Sequence, residues 1–144
     1  MSKVDSISFT AYGTPQPQGS SKAISRNGRG VVLPANAKNY PWRKIMGLAA
    51  LRARADAGVY EVLFGKHVPV AVTATFFFLR PKTVKRERMV VPPDCDKLVR
   101  SCCDALKGIL YHDDAQVMKL SASKHYGQWE GVRITVELVD DPLK

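Results

Sequence analysis

Hydrophobic and polar positions alternate from Val4 to Tyr12, with Ile7, Phe9 and Ala11 set against Ser6, Ser8 and Thr10. That period predicts a half-buried strand. Gly13-Thr14-Pro15-Gln16-Pro17-Gln18-Gly19 breaks it and cannot be helical. Asn27-Gly28, flanked by short extended runs, predicts a hairpin carrying Lys22, Arg26 and Arg29. From Lys38 to Ala57 the period lengthens. Trp42, Ile45, Met46, Ala49 and Ala53 recur at helical spacing, and Arg43, Lys44, Arg52 and Arg54 fill polar positions. Asn36 or Asn39 would cap this helix and Gly58 would end it.

Val68 to Leu79 is dense in β-branched and aromatic residues and predicts a central strand. The basic, proline-bearing stretch Arg80 to Arg88 predicts a loop, and Val90-Val91-Pro92-Pro93 an extended lead-in. A second helix fits Asp96 to Lys107, closed by Gly108. Its apolar stripe is Leu98, Val99, Cys102, Cys103 and Leu106, and its polar face runs Asp96, Arg100, Asp104 in steps of four. Gln116 to Tyr126 and Trp129 to Val139 predict two closing strands, the second with Val132, Ile134, Val136 and Leu138 alternating strictly. The order strand, hairpin, helix, strand, helix, strand, strand predicts an α+β fold with two main helices packed on a mixed sheet.

At 144 residues, 45% hydrophobic, the chain fits one domain spanning 1–144 with a core of its own. It contains no repeat and no apolar run of membrane-spanning length. No N-terminal stretch has the pattern of a signal peptide, which points to the cytoplasm and no membrane partner. Three cysteines, Cys95, Cys102 and Cys103, fit a reduced compartment and match no zinc spacing. The charge of +9 favours a polyanionic partner, nucleic acid above all.

Against that basic background, Asp94, Asp96, Asp104, Asp113 and Asp114 fall in one short window. Crowded carboxylates resist joint ionisation, and hard oxygen donors suit Mg²⁺, with Mn²⁺ as a substitute. Asp94 and Asp96, two apart in an extended lead-in, can face one point. Taken singly, Asp96 is a helix cap and Asp94 a turn residue. The ordered set D-x-D-K-x₂-R-x₃-D followed by D-D-A-Q is far more specific than any part of it. An acidic metal cluster on a basic chain suggests an enzyme acting on a polyanion.

The stretch Pro93-Asp94-Cys95-Asp96-Lys97-Leu98-Val99-Arg100, Cys103-Asp104-Ala105-Leu106 and Tyr111-His112-Asp113-Asp114-Ala115-Gln116-Val117 resembles the RusA family of Holliday junction resolvases. These are small endodeoxyribonucleases of bacteria, prophages and phages. The resemblance implies a homodimer that binds branched DNA, especially four-way junctions, and makes paired Mg²⁺-dependent cuts in recombination and repair. It implies a cytoplasmic setting, in a bacterial cell or a phage-infected host. It carries metal binding to Asp94, Asp96 and Asp114, with Asp113 in support. Asp104 matches a recurrent helix acid for which a salt bridge to Arg100 or Lys107 is an equal reading. Arg100 stands where the founding enzyme has a lysine implicated in catalysis, and Lys97 where it has Asn. An arginine keeps the charge that stabilises a phosphorane-like transition state but is a poor proton donor.

The residues expected to follow DNA phosphates are Lys82, Lys85, Arg86 and Arg88 in the basic loop, with Lys97, Lys107 and Lys124. Two other readings compete with the nuclease. One is a module of this fold that binds branched DNA without cutting it. The other is a nucleotide-using phosphotransferase, which the missing Gly-Lys-Ser/Thr phosphate loop disfavours.

Overall fold

The computed structural model describes residues 4–19, 21–26, 29–34 and 38–140. Four strands form the main sheet: β1 (Ser6–Tyr12), β4 (Val70–Leu79), β5 (Val117–Gly127) and β6 (Gly131–Leu138). Their order across the sheet is β1-β6-β4-β5. β6 pairs antiparallel with both β1 and β4, whereas β5 runs parallel to β4. The parallel step requires a long crossover between β4 and β5, and helix α2 (Cys95–Leu106) lies in it. β2 (Ser21–Arg26) and β3 (Arg29–Pro34) pair separately, with Arg26 opposite Arg29. The hairpin is therefore present in the backbone. Its turn, Asn27-Gly28, and Asn36 lie outside the described residues, as do the side chains of Lys22, Arg26 and Arg29.

The fold is α+β, a single domain of mixed sheet and two helices, as the pattern predicts. One sheet face carries Val70, Val72, Ala74 and Phe76 of β4 and Val132, Ile134 and Val136 of β6, all buried. Helix α1 (Asn39–Asp56) covers it with Trp42, Met46 and Ala50, and α2 with Leu98, Val99, Cys102 and Leu106. The other face is polar, and Ser8 of β1 and Thr135 of β6 share a hydroxyl hydrogen bond of 2.8 Å there. Gly131 is required where β6 begins: its φ is 157°, and a Cβ would collide with the carbonyl oxygen of Ala11.

Several expectations change in register or partner. Asn39 does not cap α1. It is buried, and its amide donates to Ser101 Oγ (2.6 Å) and to the Pro17 carbonyl (3.2 Å), tying the Gly/Pro segment and both helices together. The buried stripe of α1 is Asn39, Trp42, Met46, Gly47 and Ala50, while Ile45 is exposed. A glycine facing inward is invisible to a hydrophobicity pattern, yet it lets α1 approach Ile109 and Ala105 closely. In α2 the fifth fully buried position is Ser101, and Cys103 is only half-buried. Leu120, which with Val117 and Ala122 gives β5 its partial alternation, is exposed because β5 is an edge strand.

Candidate functional site

The acidic lead-in reaches α2 in extended backbone. Asp94 occupies the N-cap position (φ −73°, ψ 140°), but its side chain makes no capping hydrogen bond. Its carboxylate stays exposed, 3.8 Å from the ammonium of Lys97. Asp96 lies in the first helical turn, where the positive end of the helix dipole favours a negative charge. Arg100 lies one turn further along and is exposed; among the described residues it forms no ion pair. Asp94, Asp96, Lys97 and Arg100 thus share the N-terminal half of one helix.

Lys124 holds this lead-in. Its ammonium donates to the carbonyls of Val91 (2.7 Å) and Pro93 (2.8 Å). Lys124 is the cross-strand neighbour of Phe76 and points to the helix-covered face of the sheet. The phosphate contact expected of it competes with this internal use. We expect Lys124→Met to cost about 1–3 kcal/mol, as two charge-assisted hydrogen bonds are lost. The same change should raise amide exchange at residues 91–96, and unaltered exchange there would remove the tether from the argument.

The second acidic pair sits on a single 3₁₀ turn, Asp114–Gln116. Asp113 caps it: Oδ1 accepts from the Ala115 amide (3.1 Å), and Gln116 answers by accepting from the Asp113 amide (3.0 Å). Asp113 therefore has a structural task, and Asp114 is the member of the pair left without one. Partial burial pushes the Asp114 carboxyl above the ordinary carboxylate range; Asp104 and Asp113 push the same way and Lys107 opposes them.

Asp104 pairs with neither Arg100 nor Lys107. Its partner is Arg43 of α1, at 3.4 Å, a helix-to-helix contact that sequence spacing within α2 could not reveal. Asp104→Asn should lower the Asp114 pKa by removing a like charge, while burial keeps it above an unperturbed aspartate. A raised carboxyl pKa favours the folded state at low pH, and that contribution is lost as pH rises through the folded-state value. Carboxyl ¹³C titration of the variant checks the direction, and an Asp114 midpoint that stays put or rises would contradict it.

Among the described residues, no three His, Cys, Asp or Glu side chains stand close enough together to hold a metal ion. The donor chemistry still fits a hard cation, since the exposed acids are all carboxylates. The cysteines do not join them as thiolates: burial raises the pKa of Cys95, Cys102 and Cys103. Mg²⁺ is commonly held by one or two carboxylates completed by water and substrate phosphates rather than by an all-protein cage. Asp94 with Asp96, or Asp114, meets that lower requirement.

The family model for endodeoxyribonuclease RusA matches residues 13–137, most of the chain. The chain belongs to the RusA endodeoxyribonuclease family. It is also 30% identical over 148 residues to the uncharacterized protein YqaN of Bacillus subtilis (strain 168), covering 94% of this chain and 99% of YqaN. The RusA match spans both acidic segments and the basic loop between β4 and α2, where Lys82, Lys85, Arg86 and Arg88 are exposed. Arg86 leans on the Tyr126 hydroxyl at 3.4 Å. Lys107 is exposed at the end of α2, beside Asp114.

Gln116 is the functional-site residue that pattern reading undervalues. It is buried and uses its whole amide, accepting at Oε1 from His112 and Asp113 and donating through Nε2 to Gly65 and Val68. In the sequence it shows as the last residue of the D-D-A-Q motif and, for its bonding, as the residue three after Asp113, the spacing of a capping box.

Proposed function

We propose that the protein is a structure-selective endodeoxyribonuclease that resolves four-way DNA junctions by paired strand cuts. The observation that carries this reading is the placement of Asp94, Asp96 and Arg100 on the exposed N-terminal half of α2, in a chain of the RusA family. Asp94 with Asp96, and Asp114 from its separate turn, would each offer carboxylates to Mg²⁺, with Mn²⁺ as substitute and with water and substrate phosphates completing the shell, and Asp113 would fix the turn that presents Asp114. When bound, the ion would supply charge neutralisation at the scissile phosphate and a more acidic water. Arg100 would neutralise charge that builds on the phosphate oxygens, a task for a fixed cation rather than a proton donor. The basic loop, with Lys97 and Lys107, would follow the flanking phosphates, and its contribution would weaken as salt rises.

A homodimer fits two cuts in opposed strands. Its support is apolar: Ile45 and Leu48 are exposed on α1 beside the edge strand β1, and Leu51 is exposed on the side of α1 toward α2. Among the described residues no helix is long and apolar enough to cross a membrane. A junction-cutting role would fit the cytoplasm of a bacterial or phage-infected cell. The separation of the acids into two segments favours one other reading, a module of the same fold that binds branched DNA without cutting it. Incubation with a synthetic four-way junction, matched duplex and single strand, in Mg²⁺ or EDTA, decides between them. Paired nicks in the junction alone, dependent on Mg²⁺, are expected. Tight junction binding without nicks would leave the binding module.

A further inference from the structure

A cleft of about 580 Å³ opens beside the second acidic turn, lined by Lys66, His67, Pro69, His112, Asp113 and Met118. That volume is within the range of sites for small organic ligands, about 300–1,000 Å³. Its two walls come from distant parts of the chain, and one side chain fastens them. Gln116 Nε2 donates to the carbonyls of Gly65 (2.8 Å) and Val68 (3.0 Å) on one wall. Its Oε1 accepts from the amides of His112 (2.8 Å) and Asp113 (3.0 Å) on the other. A second tie lies just behind, where the Phe64 amide donates to the Leu110 carbonyl at 2.9 Å. Between the two carbonyls that Gln116 grips stands His67, whose φ of 68° is in the left-handed region. A bulky residue in that region carries strain, and such residues persist where the surroundings fix them.

Two imidazole rings, a methionine and a proline give flat and apolar surface, and Lys66 adds a positive charge at the rim. This mixture suits a nucleobase with its attached phosphate better than a phosphate alone, which would need clustered cations instead of Met118 and Pro69. The wall formed by His112 and Asp113 leads directly to Asp114, so an occupant would neighbour the proposed cutting site.

We propose that this cleft is a nucleotide subsite that takes one unstacked base of the DNA strand next to the scissile phosphate, with His67 as the ring it stacks on. The inference rests on the nuclease reading for its position in the reaction, but the binding step does not require cleavage. At a junction crossover, bases lie at a break in duplex stacking, where extrusion costs less than within a duplex. Stacking on a ring favours a bound base by about tenfold or more, so the cleft would weight cleavage toward crossovers presenting the base it accepts.

The test compares wild type, His67→Gly and His67→Phe. Glycine removes the ring and relaxes the left-handed backbone, while Phe keeps a ring. Junctions with varied crossover bases are cut in Mg²⁺ and the sites mapped. Separately, junctions carrying 2-aminopurine at the crossover are bound in EDTA and their fluorescence read. The wild type should alter the 2-aminopurine emission. His67→Gly should lose most of that response and flatten the site preference by about tenfold, and His67→Phe should restore both. A site profile and emission response unchanged in His67→Gly would overturn the subsite. An emission response that depends on His67, without nicking by wild type in Mg²⁺, would keep the subsite and overturn the nuclease reading. Absence of both nicking and any 2-aminopurine response in wild type would overturn both.

Discussion

Asp96→Asn is expected to abolish junction cleavage, lowering the rate by at least ~100-fold, while junction binding stays within a few-fold of wild type. The lower bound follows from the 10–100-fold losses seen when groups that merely support metal ligands are removed. Asparagine keeps an oxygen but not the charge that a hard cation requires. The variant also removes a negative charge from a surface proposed to approach phosphate, so binding should hold or tighten. Asp96 sits in the first turn of α2, and loss of its dipole interaction should cost only about 0.3–1 kcal/mol. An inactive Asp96→Asn protein should therefore melt close to the wild-type temperature. Asp94→Asn should behave alike, as Asp94 makes no capping hydrogen bond to lose. Cleavage by either variant near the wild-type rate in Mg²⁺ would remove both residues from the proposed site.

Phe76→Ala should destabilise the fold by about 3–5 kcal/mol, a large share of the ~5–15 kcal/mol that holds a domain together. Phe76 is fully buried at the interior of β4, flanked by Val132 of β6 and Lys124 of β5. Removing its ring leaves a cavity at the center of the sheet, which two paired neighbours keep from collapsing. At about 2–4 °C per kcal/mol for a chain of this size, the melting temperature should fall by roughly 10 °C. A fall of less than about 2 °C would mean that the core repacks around the gap. Lys124 adjoins this position, so the variant should also loosen the lead-in that carries Asp94.

Local pattern and local chemistry made the elements legible. The strict alternation of Val132, Ile134, Val136 and Leu138 predicts β6, and the apolar density from Val68 to Leu79 predicts the interior strand observed as Val70–Leu79, since both reflect periodic burial. The acidic motif was legible for a similar reason: Asp94, Asp96 and Arg100 are fixed relative to one another by an extended step and one helical turn. The pattern misassigned residues whose neighbours come from other elements. Ile45 and Leu120 are apolar but lie exposed, and Asn39 is polar but buried, because hydropathy alone does not say where the next element packs.

By itself, then, the sequence determined the α+β class, the basic charge, the order of the elements and the short-range grouping of acids on α2. Each follows from covalent neighbours and secondary-structure periods. Only the tertiary structure decided that Asp104 pairs with Arg43, that Lys124 grips the acidic lead-in, and that Gln116 joins the His67 segment to the Asp113 turn. Those contacts link residues 31 to 61 positions apart. The parallel crossover and helix packing bring them together, and no period along the chain encodes a distance of that kind.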